Sequence, residues 1–239
     1  MIYDFGFRTL EYPEALSAVL YTIAKATIAL AAIAIALSQC RKPFGWPGRL
    51  FLQLMNVRHA SVTRWGMGHV AIGKDFTILD VGCGGGKTIE RLAAAASSGT
   101  VFGVDHSPTS VAAARQLNAA AIAAGRVDVL QGSVSRLPFS NDTFDLVIAV
   151  ETHYYWPQPI DDGREILRVL KPGGRLVVIA ETYRGETFDK LLAIPMKLLR
   201  ARYLTLREHQ ELFTAAGFAD VAIHAERRKG WVCVVALKR

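Results

Sequence analysis

Asp80 closes a short apolar run, Ile78-Leu79-Asp80-Val81, and glycines follow at Gly82, Gly84, Gly85 and Gly86 before Lys87-Thr88. The run reads as a buried strand, a glycine turn and a helix beginning near Lys87. Glycine has no Cβ and tolerates positive φ, so such a turn lets backbone approach a ligand closely. The helix start beyond it presents N–H groups without intrahelical partners, which suit an anionic or carboxylate-bearing cofactor. A dinucleotide fingerprint requires G-x-G-x-x-G. Counted from Gly82 its last glycine position is Lys87, and counted from Gly84 it is Ile89, so both registers fail. A second chemical locus is Glu151-Thr152-His153-Tyr154-Tyr155-Trp156-Pro157, where a carboxylate, a histidine and three rings stand together. That mixture suits a small, partly apolar acceptor. His153 or Glu151 would take its proton, and Tyr154 and, after a later apolar run, Glu181 and Tyr183 share the same rim.

Elements that could position these residues alternate regularly from Thr77 onward. Strands are expected over 77–81, 100–104, 127–130, 144–149, 174–180, 219–225 and 231–237, with helices near 87–97, 108–124, 161–169 and 206–216. Regular alternation argues for a parallel sheet covered on both faces. Thr205-Leu206-Arg207-Glu208 has the capping-box pattern, and Gly217 stands where that helix should stop. Few residues separate the last two strands, so they should pair antiparallel at the sheet edge. Ligands of open α/β sheets bind at the carboxyl ends of the strands, which is where both chemical loci fall.

Read as D-x-G-x-G-x-G, the stretch 80–86 resembles motif I of the class I S-adenosylmethionine (SAM) methyltransferases, whose loop wraps the methionine part of SAM. The resemblance covers residues 77–239 through several further motifs in order. Val101-Phe102-Gly103-Val104-Asp105 ends the second strand with the acid that, in this family, accepts both ribose hydroxyls, and His106-Ser107-Pro108 then opens the next helix. Gln131-Gly132-Ser133-Val134 occupies the adenine-binding turn, with Ser133 where the common pattern has Asp. Leu137-Pro138-Phe139 and Thr143-Phe144-Asp145 enter the fourth strand, and Leu170-Lys171-Pro172-Gly173-Gly174 precedes the fifth. The arrangement is most similar to the small-molecule methyltransferases of the ubiquinone/menaquinone-biosynthesis type. It implies a Rossmann-like α/β fold: a seven-stranded, mostly parallel sheet with an antiparallel last strand. It also implies SAM as cofactor, bound by Asp80, Gly82, Cys83, Gly84, Gly86, Asp105, His106, Gly132, Ser133, Val134 and the backbone of Glu151. Rings could wall the site and favour the sulfonium methyl, and alignment for in-line displacement would supply much of the catalysis. A SAM-binding scaffold without catalysis is the alternative. The missing (Asp/Asn)-Pro-Pro-aromatic motif and Pro-Cys nucleophile after the fourth strand exclude amino-methylating nucleic-acid enzymes and cytosine C5 enzymes. An RNA methyltransferase, suggested only by the basic ends, is disfavoured because no RNA-binding module is recognisable.

The N-terminal third is different in character. Residues 15–37 form a 23-residue apolar run with Lys25 as its one charge. At about 1.5 Å per residue it could cross a core of roughly 30 Å. Arg41, Lys42 and Arg49 follow it, which would place its C-terminal side in the cytoplasm. Lys25 and the many alanines argue equally for an interfacial, dimer-forming or packing helix. The expected organisation is a hydrophobic helix over 1–40, a basic hinge and helical cap over 41–72, and the catalytic domain over 73–239. Residues 43–49, with two prolines and two glycines, read as a hinge that no helix continues through. A helix or two should then fill 49–70 with a break near Gly66, and His59, Thr63 and Trp65 could face cofactor or substrate. The run Phe188–Tyr203, apolar with Lys197, Arg200 and Arg202, is the expected substrate lid. The formal charge of +7 is concentrated in residues 41–72 and the C-terminal part, which favours an anionic surface. A lipophilic small molecule and a membrane surface are thus the expected partners, and nucleic acid is not. Cys40, Cys83 and Cys233 lack zinc-ligand or disulfide spacing, so no metal site is expected.

Overall fold

The computed structural model describes residues 14–185 and 189–239. Seven strands, β1 Thr77–Val81, β2 Thr100–Asp105, β3 Val127–Gln131, β4 Phe144–Val150, β5 Leu170–Ala180, β6 Ala219–Glu226 and β7 Trp231–Leu237, form one sheet in the order β3-β2-β1-β4-β5-β7-β6. The first five are parallel. β7 runs antiparallel to β5, and β6 pairs antiparallel with β7 at the edge. The chain order reverses between β1 and β4, and this opens a crevice at their carboxyl ends.

Alternation along each strand divides the core into two layers, as a sheet covered on both faces requires. Leu79, Val81, Val147, Leu176 and Val178 join one cluster with Ile166 of α7 (Pro159–Val169) and Phe213 of α9 (Leu206–Ala215). Ile78, Ile148, Val177 and Ile179 join the other with Ile89 and Leu92 of α4 (Lys87–Ala95) and Val111 of α5 (Pro108–Leu117). Helix α9 begins with the expected capping box: Thr205 Oγ1 accepts from Glu208 N–H at 3.1 Å, and Glu208 Oε2 accepts from Thr205 N–H at 2.7 Å. Strand β5 starts earlier than its motif suggests. Its pairing with β4 passes from Leu170 opposite Phe144 to Arg175 opposite Leu146, so Lys171-Pro172-Gly173-Gly174 bulges inside the strand rather than preceding it.

The chain divides into two compact units, Met1–Ser38 and Gln39–Arg239, so the 41–72 segment belongs to the unit that contains the sheet. Helix α1 spans Glu14–Arg41, and no helix among the described residues is long and apolar enough to cross a membrane.

Two expectations for the cap are corrected. Helix α2 spans Gly45–Arg58 and contains both Pro47 and Gly48, so the supposed hinge is a helix start. Proline is tolerated there because first-turn N–H groups have no intrahelical acceptor to lose. The break falls at His59 instead of Gly66, which lies inside α3 (Ala60–Met67). A Cβ on Gly66 would come within 2.5 Å of the Ile179 side chain, so glycine is there to let α3 lie close on β5. The lid segment begins at Phe188, outside the described residues. From Asp189 to Leu198 it is helix α8, after which Arg202 N–H donates to Tyr154 O at 2.9 Å. Helix α6 is the short turn Ala119–Ala123.

Candidate active site

At the carboxyl end of β1 the chain turns on three glycines with positive φ: Gly82 at 73°, Gly84 at 51° and Gly86 at 79°. Gly82 and Cys83 N–H groups both donate to Val104 O, at 2.7 and 3.1 Å, which locks the turn to β2. Side chains are excluded there. A Cβ on Gly82 would stand 2.4 Å from the Thr152 side chain, and one on Gly86 would meet Asn118 and Ala114. Asp105, at the end of β2, fastens the turn from the other side. Its Oδ2 accepts from Gly84 N–H at 2.9 Å and its Oδ1 from Ser107 N–H at 2.8 Å. Each carboxylate oxygen keeps a further lone pair. Gly132 N–H donates to Asp105 O at 3.0 Å, which draws the 131–134 turn alongside. Ser133 Oγ accepts from Ser135 N–H at 3.2 Å, so its own hydroxyl hydrogen is still available to donate.

Helix α2 roofs this floor. Asn56 Nδ2 donates to Gly85 O at 3.4 Å, and Ser107 Oγ donates to Pro43 O at 2.6 Å. Between roof and floor lies a cavity of about 310 Å³, at the lower end of the roughly 300–1,000 Å³ of small-molecule sites. Asp80, Gly82, Cys83, Gly84, Asp105, His106, Gly132, Ser133, Val134 and Glu151 all line it. Gly86 does not, and serves as the N-cap of α4. The roof contributes Leu52, Met55, Asn56, His59 and Thr63, of which only His59 and Thr63 were singled out in the sequence. Trp65 packs away from the cavity against Trp231, with ring centroids 5.8 Å apart. Gln39 also lines the cavity, and nothing in its sequence context marks it.

Four residues lining this cavity carry a buried polar atom with no hydrogen-bond partner among the described contacts: Asp80 Oδ2, Gln39 Nε2, Ser110 Oγ and Trp156 Nε1. Burial, and secondarily the charge of Asp105, pushes the Asp80 carboxyl up to about 8. A cationic ligand group would supply what Asp80 lacks. SAM carries two such groups, its ammonium and its sulfonium, so the residues present fit it: an orphaned carboxylate beside a glycine cradle, and a second carboxylate at the end of β2.

Of the four residues expected to do chemistry, the fold brings Glu151, Tyr154 and Glu181 together and turns His153 toward His209. Glu151 alone lines the cavity. It follows β4 in a left-handed conformation, φ 58°, and its carboxylate accepts from Glu181 N–H. Burial, then the Glu181 charge, raises its carboxyl to about 8. Glu181, past the end of β5, pairs with Arg58 at 3.0 Å. His153 and Tyr154 sit in a 3₁₀ turn, His153–Tyr155, and both are buried away from the cavity. Tyr154 Oη donates to Thr182 O at 3.3 Å. His153 Nε2 lies 2.9 Å from His209 Nε2, and His209 Nδ1 lies 2.8 Å from Thr205 O. A carbonyl only accepts, so His209 Nδ1 carries the hydrogen and its Nε2 accepts from His153. The His153 Nδ1 lone pair is then left buried without a partner, and burial holds the ring well below its usual basicity. Tyr155 and Trp156, on the same loop, do reach the cavity, whereas Tyr183 is buried in the core. Side-chain direction within a tight turn is a tertiary matter that residue types along a loop do not reveal.

His59, Glu151 and Glu181 converge: one potential ligand atom from each lies within 4.8 Å of the others. Nothing in their spacing, 92 and 30 positions apart, marks this group in the sequence.

Residues 79–178 match the family model of the methyltransferase domain. The chain is 36% identical over 96 residues to cycloartenol-C-24-methyltransferase 1 of Oryza sativa subsp. japonica, covering 40% of this chain and 28% of the relative. It is 32% identical over 146 residues to 2-methyl-6-phytyl-1,4-hydroquinone methyltransferase 1 of the same plant, covering 61% of this chain and 42% of that one. The chain thus spans less than half of the length of these two curated relatives. In fold it resembles a SAM-dependent methyltransferase from Aquifex aeolicus, with a TM-score of 0.67 at 18% identity over 80% of this chain and 98% of the other. Residues 79–178 therefore match a methyltransferase domain, the sheet with its antiparallel edge has the fold of SAM-dependent methyltransferases, and the glycine cradle and paired aspartates fit S-adenosylmethionine.

Proposed function

We propose that this protein transfers the methyl group of SAM to a small, partly apolar acceptor held under helix α2. The observation that carries this reading is a single cavity continuous from the cofactor cradle to Tyr155, Trp156 and Glu151. Its cofactor end is assigned to Asp80, Gly82, Cys83, Gly84, Asp105, His106, Gly132, Ser133 and Val134. The cavity also has apolar walls from Phe51, Leu52 and Met55 and an acidic pole at Glu151. The two plant relatives carry the names of apolar acceptors, a sterol and a phytyl hydroquinone, and this wall chemistry agrees with that class. In the reaction the acceptor's electron pair forms the bond to the methyl carbon while the S–CH₃ bond breaks. S-adenosylhomocysteine leaves with the electron pair on sulfur. Most of the rate enhancement comes from holding the two reactants in line, with Tyr155 offering its ring face to the cationic methyl. Glu151 is the residue we place against the reacting group of the acceptor.

The acceptor's source is proposed to be a lipid surface, contacted by residues 15–37. Leu16, Val19, Leu20, Ile23 and Ile28 of α1 are all more than 40% exposed. Apolar side chains exposed in such number favour transfer into a lipid interface, at about 25 cal/mol per Å² removed from water.

Calorimetric titration with SAM and S-adenosylhomocysteine tests the central reading. Wild type should bind both, and Asp105→Ala should lose at least about tenfold, the cost of one charge-assisted hydrogen-bond pair. A folded wild type that binds neither would overturn it. Methyl-labelled SAM with a panel of prenylated hydroquinones and sterols then identifies the acceptor, and Glu151→Gln should depress turnover more than SAM affinity.

A further inference from the structure

We propose that His59, Glu151 and Glu181 form a binding site for one divalent cation of the Mn²⁺, Fe²⁺ or Zn²⁺ class at the acceptor end of the cavity. The three donors come from separate parts of the fold: the junction of α2 and α3, the residue after β4 and the residue after β5. Packing brings one potential ligand atom of each within 4.8 Å of the other two, a spacing from which modest side-chain rotation reaches metal–ligand distances of about 2.0–2.2 Å.

Charge favours a cation there. Two carboxylates face each other where the only cationic partner among their described contacts is Arg58, paired with Glu181 at 3.0 Å. The Arg58 side chain is 67% exposed against 19% for Glu181, so water screens much of what the guanidinium offers. Glu151 has no cationic side chain bonded to it; its carboxyl accepts from the Glu181 backbone N–H and hydrogen-bonds the Tyr154 hydroxyl. The His59 ring nitrogens make no hydrogen bond among the described contacts, which leaves one of them to ligate.

The donor set selects the class of ion. One imidazole nitrogen with two carboxylate oxygens is too nitrogen-rich for Ca²⁺ or Mg²⁺, which take oxygen ligands. It is too hard for a thiolate-seeking ion, and it suits the borderline divalent metals. Three protein ligands leave coordination positions open, as in sites that take a water or substrate oxygen. Two of the three ligands, His59 and Glu151, line the cavity. On the methyltransferase reading above, such a position would hold an acceptor oxygen beside the transferring methyl. Cation binding itself does not depend on that reading.

Mn²⁺ is the probe, because the thiols of Cys40 and Cys83, which form no disulfide, would compete for Zn²⁺. The full chain, stripped with a chelator, is titrated with Mn²⁺ by electron paramagnetic resonance. S-adenosylhomocysteine binding and circular dichroism are followed on the same samples. Wild type should bind one equivalent. Glu181→Gln and His59→Gln should weaken it on the order of tenfold or more with unchanged circular dichroism. Absence of Mn²⁺ binding in a wild type that binds S-adenosylhomocysteine would overturn the cation site and spare the methyltransferase. Equal Mn²⁺ affinity in wild type and both variants would also overturn it. One bound Mn²⁺ without S-adenosylhomocysteine binding would support the cation site and sink the methyltransferase reading.

Discussion

Asp80 shows how burial sets the chemistry of a single side chain. It is 1% exposed, one of its oxygens has no hydrogen-bond partner, and its carboxyl is raised from an ordinary 3.8 to about 8. A raised folded-state value means that the folded protein holds a proton that the unfolded chain has already released. The stability from this group is therefore full below about pH 4 and is lost as pH rises toward 8, at up to about 1.4 kcal/mol per pH unit. Glu151 adds a loss of the same sign. Urea unfolding of the ligand-free protein between pH 5 and 8 should show stability falling with pH, and Asp80→Asn should flatten that fall. Parallel curves for the two proteins would show that Asp80 is ionised in the folded state. At this scale the sequence was informative for backbone-directed roles. The glycines and the strand-ending acids declare themselves by type and position, because only glycine accepts positive φ cheaply and a strand's last residue must point at the crevice. It was uninformative for His153. The ring adjoins the right loop, yet it turns inward to pair with His209, a residue 56 positions away.

Among the elements, α3 carries the clearest test of packing. Alanine is better than glycine inside a helix by about 1 kcal/mol, so Gly66→Ala would stabilise an isolated helix. Here the new methyl would stand 2.5 Å from Ile179, whose side chain is fully buried and cannot retreat. Overpacking of this kind costs about 1–3 kcal/mol, which outweighs the propensity gain. Thermal unfolding of Gly66→Ala should shift the midpoint down by a few degrees, and Ile179→Val in the same chain should restore part of the loss. A rise in the single variant would mean that α3 can move off the sheet. The misplaced break between α2 and α3 has the same origin. A glycine in sequence reads as a helix terminator, and only the approach of β5 shows that it is a contact point.

For the molecule as a whole, the sheet and its roof lie within Gln39–Arg239, and the apolar helix lies in Met1–Ser38. A chain beginning at Gln39 should therefore retain a cooperative unfolding transition and S-adenosylhomocysteine binding, since every cavity-lining residue is numbered 39 or higher. The same truncation should abolish flotation of the protein with vesicles of mixed neutral and anionic phospholipid. Flotation that persists would move the lipid contact to the basic residues of 41–72. Loss of cofactor binding would show that the first 38 residues contribute to folding the second unit.

What the sequence determined by itself was the class of fold and the glycine turn at the end of β1. Strand and helix periodicity, glycine turns and acids at strand ends are local requirements, met by residues a few positions apart. The antiparallel edge followed from a short connection that permits no crossover. Only the tertiary structure decided which polar side chains meet. His59, Glu151 and Glu181 are distant in the chain, and they converge because α2 folds back over the ends of β4 and β5. The same fold-back makes a roof out of residues that read as a hinge. Burial then sets their chemistry, because a carboxylate's proton affinity depends on the water and the charges around it, and neither is written in the residue's name.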